Sequence, residues 1–256
     1  MNISVGDVYD AVNTLAPFCE QAGFDNAGLL AGNREMPVTR MLFSLDITPE
    51  VVREAEEIGA DLIVAHHPVI FQPLKRVLPQ DEIWQLARAG IAAICAHTNY
   101  DVAEHGVSEI LWKKIGNPSR ACVPVHGEDG HAYVRMGDTE PCSLDGFAMH
   151  VKQVLGCSAV RVLDAGRPVC RVAVCGGAGG SEVETVVDAG ADTYVTGELK
   201  YHEILLARKR GLNVVEAGHF ETENPAVFAL CDTLAEKFPG TVCSVSAVHR
   251  DFLKIF

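Results

Sequence analysis

Five side chains in this sequence have the types and spacing to hold metal ions: the adjacent pair His66 and His67, then Asp101, then His219 with Glu223 four residues later. Three imidazoles and two carboxylates form a mixed nitrogen and oxygen donor set that suits zinc, iron, manganese or nickel, and no thiolate in it demands a soft metal. Five donors are too few to saturate two ions of four- to six-coordination. Open positions are therefore left for water or substrate, as in catalytic rather than structural sites. Two divalent ions carry more positive charge than two carboxylates cancel. The excess favours a bridging hydroxide and an anionic or strongly polar small-molecule substrate.

Adjacent residues in a regular strand point to opposite faces, so His66 and His67 serve one site only where a strand ends. Pro68 supplies that end, because it biases His67 to an extended conformation and cannot donate to a continuing ladder. His219 and Glu223 precede Asn224-Pro225, which reads as a helix N-cap followed by a proline in the first turn. HFETE is accordingly expected to be a loop entering the last helix.

The elements that must position these residues come from a diverged duplication. RMLFSLDITPEVVREAEEIGAD at Arg40 to Asp61 aligns without a gap with RVAVCGGAGGSEVETVVDAGAD at Arg171 to Asp192. Each copy runs from an apolar strand through a turn into an amphipathic helix ending at Gly-Ala-Asp, so Gly59 and Gly190 fall where left-handed helix ends are common. A second strand (DLIVAHH, DTYVTGE) and a second helix follow. GIAAICAHTNYD at Gly90 to Asp101 then matches GLNVVEAGHFETE at Gly211 to Glu223 in pattern, at a different offset.

Strands alternating with helices predict crossover connections and mostly parallel pairing, hence the α/β class. The division expected is a first lobe over 1–125, a connecting segment over 126–164 that reads as a strand pair and a helix, and a second lobe over 165–256. The metal-ligand candidates then sit at carboxyl ends of parallel strands, where such sheets bind ligands.

Several neighbouring residues admit plainer readings. Asp101 and Asp46 both suit helix N-caps, and that reading is preferred for Asp46. Asp25-Asn26 is a turn signal. CGGAGG at 175–180 lacks the Walker lysine and GxGxxG spacing, so it reads as a tight strand-to-helix turn. Lys75 and Arg76 are either solvated charge or partners for an anion at the metal site. His105, His126, His131, His150 and His249 read as structural. Glu198 and His202 occupy the second copy's equivalent of the His66 position and are candidates for a proton-transfer pair.

Composition narrows the class of function. A formal charge of −13 argues against holding nucleic acid by counterion release, which needs clustered Lys and Arg. No stretch approaches the roughly 18 to 20 uninterrupted apolar residues of a membrane span, and the N-terminus has no basic leader. Nine cysteines without a CxxC pair suit free thiols in a reducing cytoplasm.

Taken together, DNAGLLAG, SLDITPEVVREAEEIGADLIVAHHPVIFQPLKRV, HTNYD, VAVCGGAGG, DTYVTGELKYHE and AGHFETENP resemble the Nif-three-like family, often called the GTP cyclohydrolase I type 2 family. The resemblance covers nearly the whole chain. It implies two intertwined, duplicated α/β lobes with a metal-containing cleft between them and a toroidal homohexamer. It places the metal ligands on the same five residues, His66, His67, Asp101, His219 and Glu223, with Glu223 as the bridge. Some members carry a long inserted domain between the lobes; the segment here is too short for it, which makes this a compact form.

The function expected is a hydrolase dependent on two divalent metal ions per subunit, acting on a small substrate through a metal-bridging hydroxide. Its candidate catalytic residues are Glu223, His202 and Glu198. The resemblance implies GTP ring opening to a dihydroneopterin triphosphate as the nominal reaction. The alternative is a metal-binding regulatory or metal-handling protein without turnover.

Overall fold

Apolar runs of four or five residues between Gly- and Asp-rich turns are long enough only for short strands, and the chain builds its sheets from them. The computed structural model describes residues 3–116, 122–127 and 129–255. The chain divides into two compact units: residues up to Glu104 with Ala226–Arg250, and His105–Pro225 with the residues from Asp251 onward.

The first unit opens with β1 (Ile3–Ser4) and α1 (Val5–Leu15), whose N-terminus is closed by a reciprocal capping box between Ser4 and Asp7. Then come β2 (Gly28–Ala31), β3 (Pro37–Val38), β4 (Arg40–Ser44), α2 (Pro49–Ile58), β5 (Leu62–Ala65), α3 (Glu82–Ala89), β6 (Ala92–Cys95) and α4 (Thr98–Val102). Thr48 caps α2, with Pro49 in the first turn, and α2 ends at Gly59 with φ 68°.

The second unit contains α5 (Val107–Ile115), β7 (Val123–Val125), β8 (Val134–Cys142), α6 (Leu144–Leu155), β9 (Arg161–Leu163), β10 (Val169–Cys175), α7 (Val183–Asp188), β11 (Thr193–Thr196), α8 (Tyr201–Arg210) and β12 (Asn213–Glu216). Helix α9 (His219–Lys237) and β13 (Val242–Val245) complete the chain.

In the first unit the sheet order is β13-β4-β5-β6-β2, with β2 antiparallel at one edge and the rest parallel. In the second it is β7-β8-β10-β11-β12-β9, with β10, β11 and β12 parallel. Parallel strands are covered on both faces and so are apolar on both. Val172 and Val174 pack with Leu111, Trp112, Phe147 and Val151, while Ala173, between them, faces Val183, Val186 and Tyr194 on the opposite side.

The second unit includes residues 126–164, and Ala226–Arg250 belongs to the first. Residues 126–164 contribute β8, α6 and the edge strand β9 to the second unit, and β8 pairs with β7 just before them. The end of the chain returns to the first sheet, because β13 pairs with β4. Edge pairing is a long-range choice, and the local pattern of Val242–Val245 does not carry it.

The duplication survives in bond-for-bond detail. The Asp61 carboxylate accepts the backbone N–H groups of Thr39 and Arg40 at 2.7 and 3.1 Å, and Asp192 accepts those of Cys170 and Arg171 at 3.1 and 2.7 Å. Asp61 N–H donates to Arg40, and its carbonyl accepts from Ala92. Asp192 N–H donates to Arg171, and its carbonyl accepts from Asn213. Each aspartate thus ties together the starts of three parallel strands. Gly190, with φ 86°, ends its helix as Gly59 does.

Asp192 is buried, so its removal leaves two backbone donors without their charged acceptor. Asp192→Ala should cost about 2 to 4 kcal/mol of stability, read as a lower urea midpoint with unchanged slope.

Candidate metal centre

In a parallel sheet the residues just past the strand ends share one rim. The first unit places Asp46 there after β4, His66 and His67 after β5, and His97 after β6. His66 Nδ1 lies 2.8 Å from the Ala96 carbonyl, His67 Nδ1 2.7 Å from Asp46 Oδ1, and His97 Nδ1 2.8 Å from Asp25 Oδ1. Carbonyl and carboxylate oxygens only accept, so each Nδ1 is placed to donate, and in the neutral ring Nε2 is the nitrogen that can ligate a metal. His66 Nε2 is 3.5 Å from Asp101 Oδ1, and Asp101 lies in α4.

The Asp25 side chain is buried. It accepts from His97, from the Thr98 hydroxyl, and from the backbone N–H groups of Thr98 and Asn26. Burial opposes its charge, but these donors outweigh it and hold the carboxyl at about 2.

The second unit repeats the arrangement with Gly177, Glu198 and His219 past β10, β11 and β12. His219 and Glu223 are four apart on α9 and so share one helix face, with His219 Nε2 3.1 Å from Glu223 Oε2. Donor atoms that close can share one ion, because each metal bond is about 2.0 to 2.2 Å long. His219 Nδ1 lies 3.1 Å from Glu198 Oε1. Glu223 is buried.

Gly177 organises this rim. Its carbonyl accepts the N–H groups of Gly179, Gly197 and Glu198 and the Thr196 hydroxyl, while its own N–H donates to the Thr222 hydroxyl. With φ at 61°, its Cα presses on the Glu223 carboxylate so closely that an added Cβ would overlap Oε1 and stand 3.1 Å from His219 Nε2. CGGAGG is therefore a strand-to-helix turn, as expected, and it also buttresses the carboxylate.

Among the described residues, His66, His67 and His97 of the first unit form a group that could hold a metal, and the second unit carries the donor pair His219 and Glu223. Two local expectations are corrected. HFETE is the first turn of α9 rather than a loop, because the helix already starts at His219 and Pro225 lies inside it. Asp46 does not cap α2; Thr48 does, which leaves Asp46 for His67. Glu198 faces His219, whereas His202 is largely exposed and 3.8 Å from Glu203, so the two take different partners. Lys75 and Arg76 are exposed. His105 pairs with Glu109, and His150 pairs with the Ile115 carbonyl.

Sequence reading missed His97, Asp25 and Gly177 as site residues. His97 had a usable signal, a histidine directly after a strand and four residues before Asp101. Asp25 had none, since its partner is 72 residues away.

Gly177→Ala should push the Glu223 carboxylate aside and weaken metal binding by about 10-fold or more in a folded protein, read by competition with a chromophoric chelator. Asp25 titrates below its ordinary 3.8, so the stability it contributes is full above that value and is lost as pH falls through about 2. The difference in unfolding free energy between the wild type and Asp25→Asn should accordingly shrink between pH 4 and pH 2, as followed by denaturant titration at graded pH.

A family model described as Duf34/NIF3 (NGG1p interacting factor 3) matches residues 3–251. A Clostridium perfringens protein called GTP cyclohydrolase 1 type 2 homolog is 29% identical over 94% of this chain and 94% of its own length. A protein of the same description from Streptococcus pneumoniae is 32% identical over 82% of this chain and 84% of its own. The crystal structure of a Staphylococcus aureus hypothetical protein superposes with a TM-score of 0.92 at 25% identity, covering 100% of both chains. With an α/β fold, duplicated strand-end sites and a match across almost its entire length, the chain belongs to the Duf34/NIF3 family.

Proposed function

We propose that this protein is a di-metal-dependent hydrolase of a small polar or anionic substrate, with His66, His67, Asp101, His219 and Glu223 as the ligands of two divalent ions. The observation that supports this reading best is the acceptor held against Nδ1 of both His66 and His67. A carbonyl and a carboxylate engage the two Nδ1 atoms, so both rings are oriented with Nε2 as the ligating atom.

Divalent ions in such a donor set polarise a substrate oxygen and acidify bound water. The protein's own residues do the positioning. Ala96 and Asp46 orient the two adjacent imidazoles, Glu198 orients His219, and Gly177 holds Glu223 in place. Asp101 and Glu223 offset part of the metal charge, and Glu223 is the residue the family resemblance makes the bridge. Glu198, with its side chain 61% exposed, and His202, more exposed still, are the candidates for passing protons to solvent.

The relatives' description makes GTP ring opening the nominal reaction to try first. The metals are drawn from zinc, iron, manganese and nickel, which suit nitrogen and oxygen donors. The reading extends to a toroidal homohexamer in the cytoplasm. Nine free cysteines are compatible with a reducing compartment, and no helix among the described residues is long and apolar enough to cross a membrane.

The test combines elemental analysis of protein purified without added metal with a hydrolysis screen of GTP, other nucleotides, and cyclic amides and esters. The expected result is two ions per subunit and turnover of at least one substrate class, with Glu223→Gln lowering turnover by about 10³-fold or more. Protein that keeps two ions yet turns over nothing in the screen would favour the metal-handling alternative.

A further inference from the structure

We propose that His66, His67 and His97 form a three-imidazole site that takes one divalent transition-metal ion by itself, with Asp25 as the positioning residue for His97. The proposal shares His66 and His67 with the di-metal reading and adds a ligand and a coordination mode that the five-residue set lacks.

The geometry lies wholly within the first unit. The ligating atoms of the three histidines lie within 4.8 Å of one another, and the ring centroids are 5.0, 5.2 and 5.5 Å apart. Tetrahedral nitrogen ligands on one zinc-like ion are separated by about 3.3 Å, given bonds of about 2.0 to 2.1 Å. All three rings are oriented alike, because each Nδ1 faces an oxygen that can only accept, which leaves Nε2 as the ligating nitrogen of the neutral ring. Three imidazoles with a fourth position open make a known zinc pattern, and soft ligands are not needed for it.

His97 is built as a ligand, not as a filler of the core. Its orienting carboxylate, Asp25, is fully buried and is itself held by three further donors from Asn26 and Thr98. The Thr98 hydroxyl also accepts from the backbone of Ala22, and the Phe71 and His97 rings meet edge to face with centroids 6.1 Å apart. A carboxylate that fixes the far nitrogen of an imidazole is the usual outer support of a metal-bound histidine. A histidine that served only packing would need neither a buried charge nor a ring tip aimed at two other imidazoles.

The experiment uses the full chain with His219→Ala and Glu223→Ala combined, stripped of metal with a chelator and titrated with Co²⁺. The readouts are bound cobalt per subunit and the visible absorption of nitrogen-coordinated Co²⁺. The expected result is one ion per subunit, with binding weakened about 10- to 100-fold by Asp25→Asn and at least as much by His97→Ala. His97→Gln, which keeps the side chain's bulk without the imidazole, should weaken binding as His97→Ala does, and circular dichroism checks that each variant is folded. If the double variant holds no cobalt, or if both His97 substitutions leave its affinity unchanged, the three-imidazole site is wrong. Two ions in the wild type with none in the double variant would sink this proposal while leaving the di-metal reading intact. One ion in both, lost on His97→Gln, would sustain it while removing the five-ligand reading.

Discussion

The hydrogen bond from an imidazole Nδ1 to an oxygen that can only accept is the constraint on which the first unit's chemistry depends. A neutral histidine can carry its proton on either nitrogen, and only one choice leaves Nε2 able to bind a metal. Here the Ala96 carbonyl, Asp46 and Asp25 favour that choice for His66, His67 and His97. The acceptors differ in kind, and their positions come from three separate stretches of chain. What unites them is the rim of the parallel sheet, which brings Leu45-Asp46, His66-His67 and Ala96-His97 to the same level.

That rim exists because the strands are short and end together. Asp61 and Asp192 tie the starts of the parallel strands in each unit, and the ladders run only four or five residues before the chain turns. The rim is therefore set in register by the opposite end of each sheet. Strands this short tolerate little slippage, since a shift of one residue would turn His66 and His67 to each other's faces.

The two copies have diverged in what they place on equivalent scaffolds. The first copy uses imidazoles at its strand ends and draws its acceptors from backbone and aspartate. The second puts a glycine hub at the end of β10 and carries its ligand candidates on one turn of α9, where the four-residue spacing of His219 and Glu223 faces both the same way. Duplication preserved the backbone bonds of the scaffold and left the side chains at the rim free to specialise.

The sequence alone determined the α/β class, the duplication, the strand ends carrying His66, His67 and His219, and the chemical character of the donor set. These depend on local periodicity and residue type, which a single chain displays directly. Tertiary structure decided that β13 joins the first sheet, that HFETE is helical, that Asp46 serves His67 instead of a helix, and that Asp25 reaches across 72 positions to His97. Each of those is a contact between distant segments. A carboxylate's partner depends on which backbone and side-chain donors the fold carries within about 3 Å of it, and sequence neighbours record no such distance.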